Sequence, residues 1–109
     1  MIIALDYDGT MTEDIEAWLD FIDLMEDAGH TIYIVTMRYP SEGLPIGFSR
    51  MQVVFTSRKA KKPFLDALGI HVNVWIDDHP QAVFMDAEQI WGQVLPEGQP
   101  SSMNAVDVK

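Results

Sequence analysis

Four short apolar runs, separated by segments of helical or loop character, constrain the fold of this chain more than any other feature. They predict buried strands at Met1–Leu5, Thr31–Val35, Gln52–Phe55 and Val72–Ile76. Buried strands that alternate with helices are typical of a parallel sheet. We therefore expect an α/β fold of the three-layer, Rossmann-like kind, with helices on both faces, and a length of 109 residues allows one domain.

The segments between these runs predict the helices. A helix is expected from Glu13 to Ala28 with Thr12 as its N-cap, because apolar residues recur there at helical spacing and Gly29 follows. A second helix is expected from Ala60 to Leu68, and a third from Pro80 through Ala87 or Ile90. Residues 38–49 are rich in Pro and Gly and predict a loop. A short last strand is expected around Val94, and residues 96–109 are expected to form a flexible tail after a single domain at 1–95.

Charge and composition exclude several classes of protein. A net charge of −10 argues against a general affinity for nucleic acid or anionic membranes. The chain has no cysteine, no readable signal peptide and no apolar stretch near the ~20 residues that cross a bilayer, so we expect a cytoplasmic protein without membrane partners. Six of the seven basic residues lie between positions 38 and 62, which suggests a local anion site; for Arg38 and Arg50 individually, a solvated surface loop is favoured.

Polar residues follow three of the predicted strands at their carboxyl ends. The first strand leads into Asp6 and Asp8, the second into Thr36, and the fourth into Asp77-Asp78. The carboxyl ends of parallel strands meet at one edge of the sheet, where ligands bind in open α/β folds. Lysines 59, 61 and 62 open the helix before the fourth strand. We expect these groups to converge on one site.

The residue types at this edge suit phosphate chemistry. Asp6 and Asp8 are two residues apart, so their side chains leave an extended chain on the same face. Clustered carboxylates repel one another unless a cation lies among them, and oxygen ligands without His or Cys favour Mg²⁺. A metal ion and a lysine together can hold a phosphate group that the aspartates alone would repel. Each segment alone is also an ordinary turn or cap, so the interpretation depends on their combination and order.

These residues resemble the haloacid dehalogenase (HAD) superfamily of phosphohydrolases. The first motif of that family is an apolar strand followed by Asp-x-Asp-Gly-Thr, which matches Asp6-Tyr7-Asp8-Gly9-Thr10. Its second motif, a strand ending in Thr or Ser, matches the segment that ends at Thr36. Its third motif, a lysine at a helix start, fits Lys62-Pro63 best, with Lys59 and Lys61 as rivals. Its fourth motif, an acidic pair after a strand, matches Asp77-Asp78.

The resemblance implies a role for each matched residue. Asp6 is expected to attack phosphorus and form a phospho-aspartate, and Asp8 to act as general acid and base. Thr36 is expected to bind a phosphate oxygen, and Lys62 to neutralise charge. The implied magnesium ligands are Asp6, the backbone carbonyl of Asp8, and Asp78 or Asp77, with Asp78 favoured as the direct ligand. Further substrate contacts are expected at the neighbouring residues of the first two motifs, namely Gly9, Thr10, Met37 and Arg38.

The spacing of the motifs implies a minimal family member without a cap domain. Only 25 residues separate Thr36 from Lys62, and they must also supply a strand. The implied function is hydrolysis of a phosphomonoester. An open site would suit a protein or nucleic-acid end, although a small-molecule substrate is retained, and a homo-oligomer is left open. The loop at 38–50, with Arg38, Tyr39 and Phe48, is either a substrate contact or an ordinary connection.

Two interpretations compete with catalysis. A receiver-like signalling domain also gathers carboxylates, a Thr and a Lys around Mg²⁺, but its acidic pair ends the first strand and not the fourth. A HAD-like domain that binds phosphate or a partner without turnover retains the same motifs. Among the remaining residues, His79 is interpreted as a capping residue, with substrate contact as the alternative. Trp18, Trp75 and Trp91 are interpreted as core residues.

Overall fold

The computed structural model describes residues 1–45 and 52–92 of the chain. Four strands form its sheet: β1 (Ile2–Asp6), β2 (Thr31–Thr36), β3 (Gln52–Phe55) and β4 (Val74–Ile76). The four helices are α1 (Ile15–Asp27), α2 (Lys61–Ala67), α3 (Gln81–Phe84) and α4 (Ala87–Trp91). Short 3-10 helices lie at Met11–Glu13 and Pro40–Glu42. The predicted strand around Val94 and the tail at 96–109 lie outside the described residues.

The sheet is all-parallel, in the order β3-β2-β1-β4. Asp6 at the end of β1 is in register with Val35, and Thr36 at the end of β2 is in register with Phe55. Parallel pairing therefore brings the carboxyl ends of the strands to one edge, as the sequence predicted. The α/β class and the parallel sheet are confirmed.

Alternate residues of β1 pack into two separate apolar clusters. Ile3 and Leu5 belong to a buried cluster with Ile22 of α1, and Ala4 belongs to another with Leu65 of α2. Successive side chains of a strand leave opposite faces, so this continuous apolar run places buried side chains on both sides. The packing fixes β1 in the sheet and with it the position of Asp6.

The structure corrects the start of the first helix. It begins at Ile15, and its N-cap is Asp14, whose Oδ1 accepts from the backbone N–H of Ala17 at 3.2 Å. The Thr12 hydroxyl oxygen, which the sequence assigned to the cap, instead accepts from the backbone N–H of Gly9 at 2.9 Å. Thr12 therefore stabilises the turn that follows the first motif.

The predicted third helix is two helices. Met85 has an extended backbone, with φ −126° and ψ 144°, which separates α3 from α4. A new helix begins after Asp86, whose backbone N–H donates to Oε1 of Gln89 at 2.8 Å. β4 is also shorter than predicted and begins at Val74. Within the described residues, no helix has the length and apolar character to cross a membrane.

Candidate functional site

Three carboxylates meet at the carboxyl edge of the sheet. Asp6 ends β1, and Asp77 and Asp78 follow β4, the neighbour of β1. Each of the three offers an oxygen that lies within 4.8 Å of the oxygens offered by the others. Asp6 is buried, Asp77 half-buried and Asp78 exposed. This arrangement is able to hold a cation between buried and solvent-exposed carboxylates.

The lysine at this cluster is Lys61, which corrects the choice of Lys62. Lys61 Nζ lies 2.6 Å from Asp6 Oδ1 and 2.6 Å from Asp77 Oδ2, and the residue is only 2 % exposed. Lys62 lies on the exposed side of α2 and pairs with Asp66 at 2.8 Å. A signal for this was present in the sequence: Lys61 shares a helix face with the apolar Leu65, four residues on, whereas Lys62 shares one with Asp66.

The ionisation of Asp6 reflects these neighbours. Burial raises the pKa of Asp6 well above its ordinary value, and the charge of Asp77 adds to this effect, while Lys61 opposes it. For Lys61, burial lowers the pKa but the two carboxylates outweigh it, so the net direction is upward. One lysine is thus shared between two carboxylates and keeps its proton. A second cation at the cluster would favour the ionised form of Asp6.

Asp8 is paired with Arg38, a residue for which the sequence favoured a solvated loop. Nε of Arg38 donates to Asp8 Oδ2 at 2.9 Å, and Nη2 donates to Oδ1 at 2.7 Å. Nη1 donates to the carbonyl of Gly43 at 3.0 Å, and Cζ lies 5.2 Å from the centre of the Tyr7 ring. Arg38 is 7 % exposed, and its bonds to Asp8 raise its pKa. A two-point contact of this kind fixes the orientation of both groups.

Gly9 and Thr10 shape the carboxylate cluster. Gly9 has φ +88°, and a Cβ atom there would collide with the carboxylate of Asp78. The Thr10 hydroxyl donates to Asp6 Oδ2 at 3.1 Å, with Asp78 Oδ1 at 3.3 Å as its alternative acceptor. Its oxygen accepts from the backbone N–H of Asp78 at 3.1 Å. The geometry favours an orienting role for both residues over the direct substrate contact that the resemblance implied.

A small cavity of about 30 Å³ lies against these groups. Its lining contains the predicted Asp6, Asp8, Thr36, Met37, Asp77 and Asp78, together with Lys61, His79, Ala82 and Trp91. Thr36 is buried, and its hydroxyl oxygen accepts from the backbone N–H of Arg38 at 3.2 Å. The hydroxyl hydrogen of Thr36 is therefore the group available to donate into the cavity.

His79 and Trp91 form part of the cavity wall. Their rings stack with centroids 5.1 Å apart and an angle of 25° between planes. Trp18, Trp75 and Trp91 are all half-buried and pack against apolar clusters, as expected for core residues, and Trp91 lines the cavity as well. The predicted capping role of His79 is wrong, because the N-cap of α3 is Pro80 and, within the described residues, no side chain caps that helix. The backbone N–H of His79 donates to Asp77 Oδ1 at 2.9 Å, and its ring lines the cavity.

A second buried ion pair, which was not predicted from the sequence, lies beside the site. Arg58 Nη1 and Nη2 donate to the two carboxylate oxygens of Glu42 at 3.0 and 3.1 Å. The carbonyl of Met37 accepts both from the Arg58 backbone N–H, at 2.9 Å, and from Nη1, at 2.8 Å. Arg58 has φ +70°, a strained backbone that its contacts maintain. We call Arg58 and Glu42 the brace, because together they hold the backbone that follows Thr36.

No protein-family model, no characterised protein and no solved structure matches this chain.

Proposed function

We propose that this protein is a magnesium-dependent phosphatase that hydrolyses a phosphomonoester through a phospho-aspartate on Asp6. The observation that carries the proposal is the convergence of Asp6, Asp8, Thr36 and Lys61 on one cavity, beside an acidic pair. These groups provide a nucleophile, an acid, a hydroxyl donor and a buried cation within one site. Phosphoryl transfer requires mainly such positioning and charge neutralisation.

The steps follow from the residues present. A carboxylate oxygen of Asp6 attacks phosphorus, the bond to the leaving-group oxygen breaks, and Asp8 gives its proton to that oxygen. Asp8 then takes a proton from water as the water attacks phosphorus, which releases phosphate and restores Asp6. Lys61 neutralises charge on Asp6 and the phosphate, and the Thr36 hydroxyl donates to a phosphate oxygen. In this role Lys61 replaces Lys62.

The carboxylates fit a magnesium ion. Lys61 and the backbone N–H of His79 each occupy one oxygen of Asp77, at 2.6 and 2.9 Å. Both oxygens of Asp6 are occupied as well, by Lys61 and Thr10, whereas Asp78 is exposed and, among the described residues, accepts only the 3.3 Å contact from Thr10. We therefore assign Asp78 to direct ligation and Asp77 to support, with Asp6 and the carbonyl of Asp8 as the further ligands that the resemblance implies. Bound there, Mg²⁺ would neutralise the carboxylates and attract the phosphate charge.

Arg38 sets a condition on this chemistry. Its guanidinium donates to both oxygens of Asp8, so Asp8 must give or take a proton through its remaining lone pairs unless one of those bonds is released. An incoming phosphate is an acceptor of comparable strength for arginine, so substrate binding supplies a reason for that release. We therefore retain Arg38 as a substrate-binding residue.

The size of the cavity bears on the substrate. A volume of about 30 Å³ is small beside the roughly 300–1,000 Å³ of pockets that enclose a whole small-molecule ligand. Only the phosphoryl group would enter, and the remainder of the substrate would lie outside. This favours the end of a protein or nucleic acid, with small molecules retained. A three-layer, capless member of the HAD superfamily, located in the cytoplasm, is the wider proposal.

One observation favours a second candidate function, a phosphate-responsive binding module without turnover. Asp8, the expected acid, is held by Arg38 at both oxygens, and Asp6, the expected nucleophile, is held by Lys61. A site whose ions are already paired can also bind and release a ligand without chemistry.

Hydrolysis of a generic aryl phosphate with and without Mg²⁺ separates the two functions. We expect Mg²⁺-dependent release from the wild-type protein, and a loss of at least about 10³-fold in kcat for Asp6→Asn, the order of effect found when nucleophiles are removed. Asp20→Asn, on the exposed face of α1, is the matched control and should keep full activity. Absence of turnover in the wild type, or full activity in Asp6→Asn, would refute the proposal that Asp6 is the catalytic nucleophile.

A further inference from the structure

The ring of His79 has a polar atom for which the described part of the chain offers no hydrogen-bond partner. Nε2 of His79 is buried and makes no hydrogen bond with any residue in 1–45 or 52–92. A buried polar atom in this condition costs free energy unless a ligand or solvent completes its bonding. The stack on Trp91 and the backbone bond to Asp77 hold the residue in place.

The cavity brings this ring close to the reacting groups. His79, Asp6, Thr36 and Lys61 all line the same space of about 30 Å³. In a space so small, a tetrahedral oxyanion in contact with Asp6 also comes within reach of the other lining groups. Among the described residues, Nε2 of His79 is the only buried side-chain nitrogen or oxygen without a hydrogen-bond partner, and His79 lines this cavity.

The charges around the cavity create a need for such a donor. Four carboxylates line it, whereas Lys61 is the single lysine or arginine among the lining residues within the described chain. A phosphate dianion there requires hydrogen-bond donors on each side that faces a carboxylate. A protonated ring nitrogen supplies one without adding another acidic group.

We propose that His79 is a substrate-binding residue whose Nε2–H donates a hydrogen bond to an oxygen of the bound phosphoryl group, with Trp91 as the positioning residue that holds the ring. This rests on the proposed phosphate site and adds a contact that the motif resemblance did not supply. It also explains why α3 and α4 lie against the site: they carry the wall that supports the ring.

Nitrogen NMR provides a direct test without turnover. The chain has three histidines, so long-range ¹H–¹⁵N spectra of the rings are readily assigned. Inorganic phosphate, added at saturating MgCl₂ and constant pH and ionic strength, should shift the Nε2 signal of His79. The signals of His30 and His71 should stay in place, and chloride at the same ionic strength should have no effect. A His79 signal that does not respond to phosphate would overturn the contact.

Substitutions separate the ring nitrogen from the ring shape. His79→Phe keeps a planar ring for the stack but removes the donor, and should weaken phosphate binding and raise KM by about tenfold, the size of one hydrogen bond to a charged group. His79→Gln places an amide N–H near the position of Nε2 and should recover most of the affinity. His71→Phe, in an exposed turn, is the matched control.

The outcomes distinguish this proposal from the proposed function. If the wild type hydrolyses an aryl phosphate and His79→Phe binds phosphate as the wild type does, the contact is wrong and the function stands. If phosphate shifts the His79 signal but no hydrolysis occurs, the contact stands and the phosphatase assignment is wrong. If wild-type protein binds no phosphate in the presence of Mg²⁺, the contact is refuted.

Discussion

The brace and the carboxylate cluster around Lys61, both within the described residues, differ in their balance of charge. In the brace, one arginine meets one carboxylate: Arg58 donates to both oxygens of Glu42, and their side chains are 5 % and 1 % exposed. In the site, Lys61 is shared by Asp6 and Asp77, and Asp78 lies within reach of the same oxygens.

This difference in charge balance distinguishes an ion pair that stabilises the fold from a cluster that is suited to binding a cation. Removing charges from water costs several kcal/mol for each ion, and a balanced pair with good geometry recovers most of that cost. The brace meets this condition. The site does not, because carboxylates outnumber the lysine, and its excess negative charge is the physical reason to expect a metal ion there.

Replacement of Lys61 is expected to have the largest effect on stability and hydrolysis. Lys61→Met leaves two carboxylates without their cation and should lower the free energy of unfolding by about 3–5 kcal/mol and abolish hydrolysis. Lys62→Met removes only an exposed pair worth about 0.3–0.5 kcal/mol and is the matched control. Urea unfolding and the aryl phosphate assay measure both. Equal effects of the two substitutions would contradict the assignment of Lys61.

Replacing one residue of the brace should lower the stability of the fold, and replacing the other residue as well should restore most of that stability. Arg58→Met leaves Glu42 buried and unpaired and should cost about 3–5 kcal/mol, whereas the double variant Arg58→Met with Glu42→Leu should recover most of this, since apolar replacements of a whole buried pair are often neutral. The double variant should also retain stabilisation by Mg²⁺. If it lost that stabilisation, the brace would belong to the metal site and the comparison would fail.

Metal binding should depend on the site and not on the brace. At 100 times its dissociation constant, Mg²⁺ should stabilise the wild-type protein by about 2.7 kcal/mol, and Asp78→Asn should lose most of this gain. Asp66→Asn, on the exposed side of α2, should keep it. Thermal unfolding at increasing MgCl₂ measures the difference. If Mg²⁺ stabilised Asp78→Asn as much as it stabilises the wild type, Asp78 would not be a metal ligand.

The smallest expected effect is on pH dependence in metal-free protein. Burial raises the pKa of Asp6 in the folded state, so folding takes up a proton between its ordinary and raised values. Stability from this group is therefore lost as pH rises through that window. In EDTA, Asp6→Asn should gain stability relative to the wild type as pH increases from about 4. A difference that stays constant or changes in the opposite direction would show that the pKa of Asp6 is not raised.

The sequence predicted the elements that depend on local pattern. Strand β3 has the predicted bounds, β1 and β2 extend one residue beyond their predicted ends, to Asp6 and Thr36, and the sheet is parallel. Apolar runs that pack on both sides have few alternatives to a buried parallel strand. The helix boundaries were less predictable: competing cap residues lie close together, and Met85 interrupts a pattern that reads as continuous.

The aspartates of the candidate site were predicted from the sequence, whereas its basic residues were named only among alternatives. Asp6, Asp77 and Thr36 lie where strands end, so the order of the strands placed them. Lysines and arginines have long side chains, and their positions depend on which helix face and which turn approach the sheet. That is why Lys61 displaced Lys62, and why Arg38 was expected in solvent.

The sequence by itself therefore determined the α/β class, the parallel sheet and the gathering of carboxylates at its edge, because strand pattern and strand order suffice for those. Only the tertiary structure decided which lysine joins them, that Arg38 holds Asp8, that Arg58 braces the neighbouring backbone, and that the ring of His79 lines the cavity. These depend on contacts between segments far apart in the chain, and no local pattern encodes the distance between two side chains.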